Sequence, residues 1–350
     1  MRNSIVRMRN RFVSKAVVLL YHRVAELKSD PQLLSVRPLR FAEHLNVLAR
    51  EYRVVKLNAL SEWSEGRAGH PGGAVAVTFD DGYQDNLVNA KPLLEQWQIP
   101  ATVFVSTSYL DQNKEFWWDD LERMLLWPST VPSTLQVKVD GELHEWNFDE
   151  AAHYDEQEFV HYSNWTVAHK QDPAPRQRVY RELCRLLRPQ PTEERERVLE
   201  EIREWARASK TVRDTHRCLS PDEVYQMGAG NVVEIGAHTV SHSMLSSLSA
   251  AKQEREIRDS KARLEAILKR PVTSFAYPYG SVGDYTSETR MLVRDAGFAS
   301  ACSNFPEPVT RWSDRYQLPR FIVRDWTGEE FARRLDRWFA LDGDERSGNV

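Results

Sequence analysis

Cysteine is scarce in this chain of 350 residues: only Cys184, Cys218 and Cys302 are present. They are odd in number, widely spaced and without a CxxC pair, which excludes a disulfide framework and a thiolate zinc site. Long apolar runs are also missing, and nothing approaches the roughly 18–20 residues of a membrane span. No charge sign dominates. Lys plus Arg is 47 and Asp plus Glu is 51, a formal net charge of −4, so there is no electrostatic footprint for nucleic acid. The basic stretch 1–15 precedes an apolar run at 16–20 that leads straight into Tyr21-His22-Arg23. A signal peptide needs an apolar run of roughly 7–15 residues and a small-residue cleavage site. The run is therefore predicted to be a strand, and the expected location is cytoplasmic. Oligomeric state has no signal here.

What is present is ordinary for a globular protein: 41% hydrophobic and 28% charged residues. At about 150 residues per domain the length predicts two domains, or one α/β barrel with additions. The 11 Trp suit sugar stacking and core packing alike. Short apolar runs alternate with helical patterns, the signature of a βα-repeating fold. Strands are predicted at 17–21, 74–79, 101–105, 232–236, 272–277, 298–302 and 321–323. Helices are predicted at 38–52, 85–97 with Pro92 as a kink, 249–269 and 284–296. Residues 108–219 break the rhythm with an aromatic-acidic segment, Phe116-Trp117-Trp118-Asp119-Asp120. A hairpin around Asp140-Gly141 follows, and then charged helices at 175–188 and 192–208. The expected architecture is a barrel over 16–343 carrying a mixed α+β insertion at 108–219, with a disordered tail after Gly343.

Four segments carry possible chemistry. Asp80 and Asp81 close the strand Val77-Thr78-Phe79, at the strand end where α/β folds place active sites. One carboxylate can hold a cation while the other acts as a base, although Asp-Asp-Gly also serves as a helix cap and turn. His238-Thr-Val-Ser-His242 spaces two imidazoles i and i+4, which on a helical turn share one face and can share a metal. Asp81, His238 and His242 together would make an Asp-His-His site with a position open for water, which Asp80 could deprotonate. Phe275-Ala-Tyr-Pro-Tyr-Gly280 ends another strand in a tight loop. There a backbone N–H can face an oxyanion, or the loop is simply an exit turn. His22, at the end of the first strand, can protonate a leaving group or serve as an ordinary structural imidazole.

In this order the segments resemble the polysaccharide deacetylase family (NodB homology domain, carbohydrate esterase family 4). Thr78-Phe-Asp-Asp-Gly82 matches its first motif, His238-Thr-Val-Ser-His242 its HTxxH motif, and 275–280 stands where its third motif would be. The similarity covers about 16–107 and 219–324. It implies a distorted parallel (β/α) barrel of about seven strands and metal-dependent removal of N-acetyl groups from amino sugars. By this resemblance Asp80 is the base, and Asp81, His238 and His242 hold a divalent metal, zinc first with cobalt or nickel as alternatives. The Tyr279 N–H is the oxyanion donor. The expected partner is an N-acetylated amino sugar, glycan or glycan precursor. Two features depart from the family. The third-motif Arg that orients the base is replaced by Ala276, and Arg320 in Leu318-Pro-Arg320 is the candidate substitute. The late Leu-x-x-His of the general acid is missing, but Leu19-x-x-His22 fits it at the other end. That arrangement is similar to the circularly permuted de-N-acetylases of β-1,6-linked poly-N-acetylglucosamine and makes His22 the general acid. Arg324-Asp325-Trp326 resembles, loosely, the family's Asp-Trp motif. The competing readings are a hydrolase of another C–N amide (a formamide, a small molecule or a lipid-linked sugar) and a catalytically silent carbohydrate-binding protein.

Overall fold

A computed structural model describes residues 15–64, 72–111 and 114–341. Most of the basic N-terminal stretch and the tail after Gly343 lie outside the described residues. Among those described, no helix is long and apolar enough to cross a membrane. The chain divides into two compact units. One falls within 1–26, 35–111 and 219–350, the other within 27–34 and 112–218.

The first unit is built on parallel strands β1 (Lys15–Tyr21), β2 (Ala74–Phe79), β3 (Ala101–Val105), β4 (Val233–Ala237), β5 (Ser274–Ala276), β6 (Ser300–Cys302) and β7 (Phe321–Ile322). Their spatial order is β6-β5-β4-β3-β2-β1; on the other side of β1, β7 pairs with its end and Val309–Thr310 pairs antiparallel with its start. Just before β7, Leu318 forms a parallel bridge to Cys302 of β6. One segment thus touches both ends of the sheet, giving the curled, distorted α/β barrel expected from the sequence. Helices α1 (Pro38–Glu51), α2 (Lys91–Trp97), α3 (Pro221–Met227), α4 (Ala250–Leu268), α5 (Ser287–Asp295) and α6 (Gly328–Ala340) alternate with the strands.

Side chains alternate across a strand, and here the alternation separates two cores. Val17, Leu19, Val75, Val77, Val103 and Ile235 point outward to the helices and join one large apolar cluster. Ala16, Val18, Ala74, Ala76, Phe104 and Ala276 point inward and form another. The inward set is mostly small. At Gly236 a Cβ would come within 2.4 Å of the Phe104 ring, so only glycine lets that ring lie across the interior.

Several elements differ from expectation. The helix predicted at 85–97 is a π-helical turn, Asn86–Ala90, followed by α2. Pro92 follows directly on the π-helical turn, inside a helical run that continues from Asp85 to Trp97. The helix predicted at 284–296 begins only at Ser287, because Thr286 caps it. The strand predicted at 272–277 is reduced to β5. Helix Leu57–Ser64 and α6 had no counterpart among the expected elements.

In the second unit Thr134–Val139 and Glu142–Asn147 pair antiparallel across Asp140-Gly141, both at positive φ as a two-residue hairpin turn requires. Helices Pro175–Leu187 and Thr192–Ala206 follow. Residues 27–34, from the β1–α1 connection, belong to this unit: Gln32 donates to the Tyr180 hydroxyl at 2.8 Å. Trp117, Trp118 and Trp146 are buried, so they are core and not a stacking platform. The three cysteines are free thiols.

Candidate active site

The inward parity continues past the strand ends. His22 follows β1, Asp80 follows β2 and His238 follows β4, all on the parity that faces the barrel interior. Tyr21 pairs with Phe79, and the Asp80 N–H donates to the Tyr21 carbonyl at 3.0 Å, so His22 and Asp80 stand side by side at the C-terminal mouth.

Arg320 enters from below. Its position just before β7 corresponds in register to Val18 and Ala76. The small inner residues leave its side chain a path upward past Phe104, whose ring centroid is 5.6 Å from the guanidinium carbon. Arg320 donates to the Ser303 carbonyl at 2.7 Å and then bidentately to Asp80, 2.7 Å to each carboxylate oxygen. Arg320 and Asp80 are both buried. Burial alone would raise the Asp80 pKa, but the guanidinium outweighs it and holds the carboxyl below the usual range. Asp81 next door has no such partner. Burial, with the Asp80 charge adding to it, raises its pKa. Two consecutive carboxylates are thus pushed apart in proton affinity, the mark of divided roles.

Asp81 faces both imidazoles. Its Oδ1 lies 3.2 Å from His242 Nε2 and 3.6 Å from His238 Nε2. That oxygen is buried and accepts no hydrogen bond among the described residues. Ligands about 2.0–2.2 Å from a tetrahedral zinc stand roughly 3.3–3.6 Å from one another. The three donor atoms all lie within 4.8 Å of one another, and both Asp81–imidazole separations suit a shared cation. His238 Nδ1 is 2.8 Å from the Ala276 carbonyl, which directs Nε2 toward Asp81. Burial brings the His238 pKa down to about 4, leaving the neutral imidazole a metal requires.

The loop carrying the two histidines is not a helical turn, which corrects the expectation from their i, i+4 spacing. It is irregular, with Thr239 at φ +63° and His242 at φ +53°. The imidazoles meet because the chain doubles back, their ring centroids 4.9 Å apart. Asp81 (φ +77°) and Tyr279 (φ +61°) are also left-handed. Strain concentrated on four non-glycine residues around one point is typical of a functional centre. Surrounding groups hold the loop in place. The Thr239 hydroxyl accepts from the His242 N–H at 3.0 Å. Glu256 of α4 accepts from the Val240 and Ser241 N–H groups at 2.9 and 2.8 Å and from the Ser241 hydroxyl at 2.7 Å.

His22 is partly exposed at the mouth, unlike the buried Asp80, Asp81, His238 and His242. Burial dominates its proton affinity and brings its pKa to about 4 despite the Asp81 and Asp80 charges. The Tyr279 ring meets His242 edge-on at 4.8 Å, and Asn304 Nδ2 donates to the Tyr279 carbonyl at 3.0 Å. Sequence reasoning missed Glu256, Asp85 and Asn86, which bond directly to the site's loops but belong to no short motif. Among the described residues a second set, Asp119, Glu122 and His216, could also share a cation. There Glu122 is already paired with Arg213 at 2.8 Å.

The polysaccharide deacetylase profile matches residues 67–185 and 192–301. The poly-β-1,6-N-acetyl-D-glucosamine N-deacetylase of Escherichia coli K12 is 28% identical over 138 residues, which are 37% of this chain and 20% of that protein. This chain therefore aligns with only a fifth of that relative's length. Among solved structures, the Streptococcus pyogenes deacetylase PplD in complex with acetate superposes with a TM-score of 0.57 at 15% identity, covering 92% of this chain and 99% of that one. IcaB from Ammonifex degensii gives 0.55 at 18%, covering 94% and 98%. At such identities the superpositions establish the fold. With its profile matched over more than half the sequence, the chain belongs to the polysaccharide deacetylase family, hydrolases of carbon–nitrogen amide bonds.

Proposed function

We propose that this protein is a divalent-cation-dependent hydrolase that removes N-acetyl groups from the amino sugars of a polysaccharide or glycan precursor. The observation that carries the reading is Asp80, held ionised by Arg320, beside the Asp81–His238–His242 donor set at the barrel mouth. The name of the Escherichia coli relative makes β-1,6-linked N-acetylglucosamine oligomers the first substrates to test. Asp81, His238 and His242 would hold the cation, zinc first and cobalt or nickel as alternatives. Bound there, it would polarise an acyl oxygen and lower the pKa of a water.

The chain's own groups supply the proton transfers. The Asp80 carboxylate, ionised at neutral pH, takes the proton of the attacking water. The Tyr279 N–H donates to the developing oxyanion. Its pKa of about 4 leaves His22 neutral at pH 7, so the proton it passes to the sugar nitrogen as the C–N bond breaks is the one Asp80 took from the water, and free amine and acetate are released. Acid and base groups of this kind typically contribute about 10²–10⁴-fold each. The reading as a silent carbohydrate binder drew on the Ala at position 276, and a guanidinium on Asp80 takes away that support.

Cation content by elemental mass spectrometry and acetate release from N-acetylated oligomers test the reading together. The wild type is expected to hold about one cation per chain. Asp80→Asn should keep the cation and lose at least about 10²-fold in turnover, and His242→Ala should lose both. Full activity in Asp80→Asn would reject the base assignment. A wild type that holds no cation after reconstitution and releases no acetate would reject the function.

A further inference from the structure

We infer that Asp85, Asn86 and Asn89 are positioning residues for His22, clamping the loop that carries the proton donor onto the segment that carries the base. The inference rests on the proposed function for the role of His22. The β1–β2 ladder reaches only to Tyr21 and Asp80. Beyond it, three side chains from the segment just after Asp81 grip three consecutive residues of the loop leaving β1. Asn86 Nδ2 donates to the His22 carbonyl at 2.8 Å. Asp85 Oδ2 accepts from Arg23 Nε at 3.0 Å, and its Oδ1 accepts from the Val24 N–H at 2.9 Å. Asn89 Nδ2 donates to the Val24 carbonyl at 2.8 Å. The Arg23 guanidinium also lies 4.2 Å over the Tyr83 ring.

Asn86 and Asn89 belong to the π-helical turn and Asp85 is its N-cap. That rare geometry is frequent at functional sites. Arg23, Asp85 and Asn86 are at most 7% exposed. A buried ion pair is a poor source of net stability, so its presence here is better explained by the loop it orients. His22 thus takes its place from residues 85–89, just after Asp80 in the chain. The distance between acid and base is set within one local unit and not across the whole barrel.

The chemistry provides a readout that a purely structural role would not move. When the amide C–N bond breaks, the nitrogen must receive a proton, because an amide anion does not leave. When an aryl ester C–O bond breaks, the phenolate departs without one. Displacing His22 should therefore slow N-acetyl hydrolysis far more than hydrolysis of 4-nitrophenyl acetate.

The experiment compares the cation-loaded wild type with Asn86→Ala, Asn89→Ala, His22→Ala and Glu256→Gln on an N-acetylglucosamine oligomer and on 4-nitrophenyl acetate. Rates are normalised to bound cation. A misplacement of about 1 Å costs on the order of 10²-fold, so Asn86→Ala is expected to lower the amide-to-ester ratio about tenfold or more, through kcat and not KM. Asn89→Ala, at a partly exposed position less costly to folding than Asn86, should shift the ratio the same way by less. Glu256→Gln, which touches the histidine loop and not the loop of His22, should leave the ratio unchanged. Ratios within about twofold of wild type in both Asn86→Ala and Asn89→Ala would overturn the clamp. An unchanged ratio in His22→Ala would reject the acid role itself. A wild type that hydrolyses neither compound would reject the proposed function and this inference with it.

Discussion

A guanidinium and a carboxylate taken out of water cost several kcal/mol each, and only close, fully bonded geometry offsets that. Arg320 and Asp80 meet the condition with two parallel bonds, and Thr78 Oγ1 (3.2 Å) and the Ser303 carbonyl take further guanidinium hydrogens. Lysine cannot reproduce the fork. Arg320→Lys is expected to keep the cation while kcat falls about 10–100-fold. The sign of the pH effect follows from the contact. Arg320 lowers the Asp80 pKa, so weakening the pair raises it, and the acidic limb of the kcat profile should move to higher pH. An unmoved limb would show that the pair does not tune the base. Asp80, Asp81, His238 and His242 were legible in the sequence because each lies in a short contiguous pattern. Arg320 was legible only as a nearby candidate, since 240 residues separate it from Asp80 and no periodicity links such partners.

Among the elements, the 238–242 loop shows how spacing misleads. Two histidines four apart suggested one helical face, yet the backbone takes positive φ at Thr239 and His242 and reaches a similar pairing by another route. Such a loop depends on outside support, and Glu256 supplies three hydrogen bonds to it from α4. Groups that orient metal ligands typically affect affinity by 10–100-fold. Glu256→Gln retains one acceptor oxygen where two are in use, so cation affinity should fall by about tenfold or more, measured by competition with a chelator. Unchanged affinity would mean that the loop holds its shape alone. On the sequence, Glu256 is one charge among many on a solvated amphipathic helix, and nothing in that pattern marks it.

For the whole molecule, the imidazoles of His22, His44 and His238 are all brought down to about 4 by burial. Each takes up a proton near 6.5 when unfolded, so the unfolded state binds more protons between those values. Stability should therefore be complete above about pH 6.5 and lost progressively toward pH 4. His44 is fully buried, bonded to the Tyr21 hydroxyl and the Trp326 carbonyl and stacked on Phe331. It accounts for up to about 3 kcal/mol of that loss. Thermal unfolding of the chelator-treated protein across this range checks the slope, and His44→Gln should flatten it by about one proton; a flat wild-type profile would contradict the burial argument. By itself the sequence determined the alternating strands and helices, the small inward residues and the motifs at the strand ends, because each is a local pattern with a period or a fixed spacing. Only the tertiary structure decided that Arg320 reaches Asp80, that Glu256 and Asn86 hold the two active loops, and that residues 27–34 leave the barrel for the second unit. Those outcomes depend on chain closure and on which distant surfaces come to lie against each other, and a linear pattern carries neither.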